Sequence, residues 1–110
     1  MSKYHSKKTE VDGILFDSKA EARRYMDLAI MERCGVIKDL RMQVPFILVK
    51  GEKWSDGRKH RDVVYKADFV YLDNGQIVVE DVKGFRTEAY RIKRELMKAV
   101  HHIEIREVRA

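Results

Sequence analysis

Apolar residues recur along the chain with two periods, and the period assigns each stretch. In "TEVDGILF" (residues 9–16) the apolar positions flank Asp12-Gly13, which predicts a short hairpin with a two-residue turn. "DSKAEARRYMDLAIMERCG" (17–35) changes to helical spacing. Asp17 or Ser18 caps this helix, Gly35 ends it, and Ala22, Met26, Ala29, Ile30 and Arg33 share one side. Val36 to Val49 reads as one or two strands, with Pro45 marking an edge, bend or bulge. "KGEKWSDGRKHR" (50–61) is a polar loop. Period two returns in "YKADFVYLDNGQIVVEDVKGF" (65–85), two strands around Asn74-Gly75. "TEAYRIKRELMKAV" (87–100) is a second amphipathic helix, with Ala89, Ile92, Leu96, Ala99 and Val100 facing inward. "IEIREV" (103–108) alternates as a final strand. The predicted order is approximately ββαββββαβ, an α+β chain whose mixed sheet is flanked by two helices.

Length and composition fit one domain spanning 1–110, since 110 residues with 45% apolar and 37% charged positions can bury one core but not two. A net charge of +5 favours an anionic partner. Part of that charge sits in a basic arm, residues 1–8, which carries Lys3, His5, Lys7 and Lys8 around Tyr4. The arm lacks the apolar core of a signal peptide, and the longest apolar run, "VPFILV", is too short to span a bilayer. No membrane association is expected. The single cysteine, Cys34, excludes an intramolecular disulfide and fits a reducing cytoplasm. It reads as a helix-end core residue, and His101 and His102 read as surface residues.

The 65–85 hairpin holds the chemistry. Asn74-Gly75 suits a type I′ turn, because both positions need positive φ. That turn fixes the register: Leu72 faces Ile77, Val70 faces Val79, Asp68 faces Asp81 and Lys66 faces Lys83, all on one face. Two carboxylates directly opposite, with Cβ atoms about 5 Å apart, repel each other unless something offsets the charge. An oxygen-preferring cation such as Mg²⁺ offsets it and often needs only one or two protein carboxylates. Lys83 can then reach a phosphate or water there. Alternatively, Asp68 and Asp81 face solvent and pair diagonally with Lys66 and Lys83. Glu80 falls on the other face and is the weaker candidate.

"AD" at 67–68 and "DVK" at 81–83 resemble the PD-(D/E)XK nuclease motif, with Ala67 in place of proline. "FDSKAEARRY", "YKADFVY" and "VVEDVKGFRTEAYRIKRELM" together resemble small phage-encoded endonucleases of that superfamily, similar to Holliday junction resolvases. The resemblance implies a restriction-endonuclease-like αβββαβ core preceded by the N-terminal hairpin. It implies hydrolysis of phosphodiesters, most expectedly in branched DNA, dependent on Mg²⁺ or Mn²⁺ and leaving 5′-phosphate and 3′-hydroxyl ends. Asp68 and Asp81 would bind the metal, Glu21 would complete its site, and Lys83 would orient the attacking water or stabilise phosphate charge. If phage-encoded, the protein acts in a host cytoplasm.

Glu21 has a rival role, because Ser18-Lys19-Ala20-Glu21 fits a capping box. DNA contacts are expected from Lys53, Arg58, Lys59 and Arg61 in the loop beside Trp54 and His60, and from Arg91, Arg94 and Lys98 on one helical stripe. Thr87 is either an N-cap or, with Lys93, a phosphate contact near the site. One site cuts one strand, so resolving a junction predicts a homodimer, joined through the N-terminal hairpin or the edge strand near Pro45. The alternatives are a non-catalytic DNA-binding module on the same fold and a structural or assembly protein.

Overall fold

The computed structural model describes residues 8–83 and 86–109. In chain order these form β1 (Thr9–Val11), β2 (Ile14–Phe16), α1 (Lys19–Arg33), β3 (Lys38–Val49), β4 (Val63–Asp73), β5 (Gln76–Lys83), α2 (Glu88–His101) and β6 (Arg106–Arg109). After the first hairpin the order is αβββαβ, and the chain is α+β with a mixed sheet, as expected. Residues 36–49 supply one strand where one or two were expected. Lys3, Tyr4, His5 and Lys7 of the basic arm lie outside the described residues. Among those residues no helix is long and apolar enough to cross a membrane.

The main sheet has the order β3-β4-β5-β6. β3, β4 and β5 are antiparallel to their neighbours, whereas β6 returns through α2 to lie parallel to β5. Asp12-Gly13 and Asn74-Gly75 all take positive φ, between 53° and 77°, so both turns form as their sequences require. Ser18 caps α1 and Thr87 caps α2, each side chain accepting the amide three residues on.

Two apolar layers cover the sheet. Tyr90 and Met97 of α2 pack with Leu48, Tyr65, Ala67, Val70, Val79 and Ile105 on one face. Phe16 of β2 and Ala22 and Leu28 of α1 pack with Ile37, Phe69, Tyr71 and Val78 on the other. Both helices lie differently from their apolar periodicity. In α1 the buried residues are Glu21, Ala22 and Leu28, while Met26 and Ile30 are exposed. In α2 they are Tyr90 and Met97, while Ala89, Ile92, Ala99 and Val100 are exposed and Leu96 is half-buried. The cause is polar anchoring. Arg24 turns α1 toward β5, and the Tyr90 hydroxyl donates to Glu107 of β6 at 2.7 Å. Cys34, expected in the core, is exposed at the C-cap of α1, because Gly35 turns the chain outward there at φ +79°. His101 is half-buried: its Nε2 lies 2.8 Å from the Ile47 carbonyl and its ring packs edge-on to Phe46, fastening α2 to β3. His102 is an exposed left-handed C-cap.

One rung of the sheet breaks the alternation. Met42 and Phe69 are paired and pack on the α1 side, yet Val44 and Ala67, the pair two residues away, pack on the α2 side. Strict period two would keep them on one face. β3 and β4 therefore change faces together at Gln43 and Asp68. Gln43 sits at φ +53°, a conformation that L-residues with a Cβ rarely adopt. Such irregularities re-aim side chains and concentrate near functional sites.

Candidate active site

Asp68 stands on that irregular rung, and the backbone explains why its carboxylate leaves the ladder. The β4–β5 register runs from Asp73–Gln76 to Phe69–Glu80 as the turn dictates. It stops there. The expected direct pairs Asp68–Asp81 and Lys66–Lys83 do not form: Asp68 Oδ2 itself accepts the Val82 amide at 2.7 Å, taking the place of a main-chain carbonyl. Lys66 pairs instead with Pro45 of β3, and Lys83 with Arg109 of β6.

The two carboxylates nevertheless share one electrostatic environment with Glu21. Burial raises the pKa of Asp68, the Val82 amide opposes the rise, and the nearby charges of Glu21 and Asp81 add to it, leaving Asp68 at about 8. Glu21 is buried at the start of α1. Ser18 Oγ accepts the Glu21 amide at 3.1 Å and donates to Glu21 Oε2 at 3.3 Å, while Gln43 Nε2 lies 3.5 Å from Oε1. The N-cap therefore exists, but the Glu21 side chain points to the Ser18 hydroxyl and Gln43. A capping box would have it reach back to the Ser18 amide.

Asp81 is buried on β5, 3% exposed, and Tyr65 donates to its Oδ2 at 2.6 Å. Its Oδ1 faces Lys83 Nζ at 3.3 Å but has no partner in hydrogen-bonding geometry. The Lys83 ammonium also sits 4.2 Å from the centre of the Tyr90 ring. Tyr65 is held protonated by burial and by its bond to Asp81, so it acts as a fixed donor.

Glu80 serves a different purpose. It is fully buried, receives Arg24 Nε and Nη2 at 2.8 and 2.7 Å, and accepts the Tyr71 hydroxyl. This bidentate ion pair raises the Arg24 pKa through the hydrogen bond to Glu80 and ties α1 to β5. Sequence reasoning missed Arg24 and Tyr65, whose partners lie 56 and 16 residues away and leave no local signal.

Glu21, Asp68 and Asp81 offer only oxygen donors, the chemistry preferred by Mg²⁺ and Mn²⁺. The burial of Asp68 close to the charges of Glu21 and Asp81, and an Asp81 Oδ1 that lacks a hydrogen bond, both fit a cation. Among the described residues no group of three His, Cys, Asp or Glu is arranged as a ready-made metal cage. The fit thus rests on a carboxylate pair with Glu21 beside it, which suits an ion that keeps much of its water.

The expected DNA contacts divide. Lys53, Arg58, Lys59 and Arg61 lie together on an exposed loop, with Lys53 and Lys59 bridged. The stripe on α2 is not a row of free cations: Arg91 pairs with Glu88 at 2.7 Å, Arg94 with Glu107 at 3.4 Å and Lys98 with Glu104 at 2.6 Å. Thr87 spends its hydroxyl oxygen on the Tyr90 amide at 3.0 Å. Lys93 is half-buried and has no carboxylate partner among the described residues.

Comparison with curated proteins finds no match. A family model described as "Protein of unknown function (DUF1064)" matches residues 1–109, and the chain belongs to that family.

Proposed function

We propose that the chain is a metal-dependent DNA endonuclease, a hydrolase of the PD-(D/E)XK kind that acts on branched DNA. The observation that carries this reading is the gathering of Asp68, Asp81 and Lys83 where the β4–β5 pairing stops, with Glu21 beside them. Asp68 and Asp81, aided by Glu21, would hold Mg²⁺ or Mn²⁺, which supplies Lewis acidity toward a phosphodiester and a nucleophilic water. The remaining work falls to the side chains. Tyr65 orients the Asp81 carboxylate through Oδ2 and leaves Oδ1, buried beside Lys83, without a hydrogen bond. Lys83, 3.3 Å from Oδ1, would orient the attacking water or neutralise charge developing on the phosphate.

A homodimer completes the proposal. β1 and β2 bury their apolar face internally, with the Phe16 ring 5.1 Å from Tyr25 and 6.4 Å from Phe69. The edge strand β3 is the better interface. It exposes Ile47 and Val49, and the His101–Ile47 contact brings exposed Val100 of α2 to the same region. A second copy placed there would bring two sites to a junction of two-fold symmetry.

One observation favours the non-catalytic alternative: Lys83 already neutralises Asp81, closing the site with a salt bridge. Incubating the protein with four-way junction, flap, duplex and single-stranded DNA, with and without Mg²⁺ or Mn²⁺, separates the readings. Cation-dependent cleavage is expected, lost in Asp81→Ala, Lys83→Ala and Asp68→Asn while binding persists. Glu21→Gln is expected to lose activity with little change in Tm, because the Ser18 cap remains. DNA binding without cleavage under every cation would establish the binding-module reading.

A further inference from the structure

We infer that residues 50–62 form a rigid finger that stacks Trp54 on an unpaired base of single-stranded or branched DNA. The inference rests on the nucleic-acid reading above but not on its chemistry.

The segment is a built element and not a slack loop. Lys53 and Lys59 are bridged, the Trp54 amide donates to Arg58 O and the His60 amide to Glu52 O, both at 2.9 Å. At its base the Gly51 amide donates to Asp62 Oδ1 at 2.8 Å. The two arms approach so closely there that a Cβ on Gly51 would fall 2.0 Å from the His60 carbonyl oxygen, so only glycine closes the finger.

On this frame Trp54 and His60 stack with ring centres 3.7 Å apart and planes 17° from parallel. Trp54 is still 59% exposed. The imidazole covers one face of the indole and leaves the rest open to solvent. An oriented, exposed aromatic face among cations is the kind of platform on which single-strand binders stack a nucleobase.

Charge selects the same partner. Arg58 is held by Asp56 at 3.5 Å and Lys50 by Asp62 at 3.5 Å. Lys53, Lys59 and Arg61 have no carboxylate within ion-pair distance among the described residues. Trp54, Asp56, Arg58, Lys59, His60 and Arg61 line an open cleft of about 340 Å³. An aromatic face among unpaired cations matches a backbone that carries both phosphates and exposed bases. Fully paired duplex hides its base faces and offers only the phosphates.

Trp54 is the chain's single tryptophan, so its fluorescence reports this site alone. The protein, with chelator present to prevent cleavage, is titrated with oligothymidylate and with duplex of equal length. The expected result is strong quenching by the single strand and little by the duplex. Trp54→Ala should weaken single-strand affinity about tenfold and Trp54→Phe much less, with duplex affinity unchanged. Replacing Lys53, Lys59 and Arg61 with Gln should reduce the salt slope for single strands by about two. Equal quenching by both forms, or none, overturns the inference. Cleavage without quenching removes the finger and keeps the nuclease; quenching without cleavage does the reverse.

Discussion

Asp68 is held near neutrality by burial and by two neighbouring carboxylates, and that has a measurable sign. Its ordinary pKa is about 3.9, and in the folded chain it is about 8. Between these values the unfolded chain has released a proton that the folded chain keeps, so folding is favoured at low pH and stability falls as pH rises toward 8. In chelator, the wild-type Tm should therefore drop relative to Asp68→Asn between pH 5 and pH 8.5, by several degrees. Asn still offers an oxygen to the Val82 amide. Parallel melting curves would show that Asp68 titrates normally. Mg²⁺ should restore the wild type at high pH, since the cation takes the proton's place. Asp68, Asp81 and Lys83 were legible in the sequence because Asn74-Gly75 pins a register from which each position can be counted. The direct Asp68–Asp81 pair read from that count does not form, because the rung that changes face depends on Gln43, in a strand whose pairing no local pattern announces. Glu21 was readable in two ways: its position near Asp68 is present, while of the capping box only the Ser18 half forms, the Glu21 carboxylate meeting the Ser18 hydroxyl and Gln43.

At the scale of elements, the order of strands and helices followed from turns and caps, while the orientation of the helices did not. Apolar spacing would roll α1 toward Met26 and Ile30, but Arg24 reaches the fully buried Glu80 and sets the rotation instead. A helical wheel scores charged residues as outward-facing, so an inward arginine misleads it. The energetic consequence is asymmetric. Removing Arg24 leaves Glu80 buried without its counter-charge, while removing both partners leaves only a packing defect. Arg24→Ala should cost about 3 kcal/mol, the low end for a broken buried pair because the Arg24 side chain is 23% exposed. The double variant Arg24→Met/Glu80→Leu should recover much of that loss in urea denaturation. A double variant no more stable than the single one would show that the pair does more than orient α1. The same blindness affects α2, where Tyr90 and Met97, not Ile92 and Val100, face the sheet.

For the whole molecule, the apolar groups left outside gain meaning from where they lie. Ile47 and Val49 on β3 and Val100 on α2 are each 45–48% exposed. The proposed dimer would cover them, and Val100→Asp together with Ile47→Asp should convert a dimer to a monomer in light scattering at micromolar concentration. An unchanged mass would move the interface elsewhere or remove it. Net positive charge was legible from composition, but it could not locate a surface, because a surface is made by residues distant in sequence. The finger also has a consequence for how the molecule is put together. Val49 and Val63 face each other across β3 and β4 at its base. Everything from Lys50 to Asp62 could thus be exchanged for an Asn-Gly turn without moving either strand. Such a shortened chain should fold and melt like its parent, keep the cleavage proposed above and lose the proposed preference for unpaired DNA. In engineering terms Val49–Val63 is a socket: the proposed nuclease body and the proposed base-stacking tip are separate parts, and the tip is replaceable.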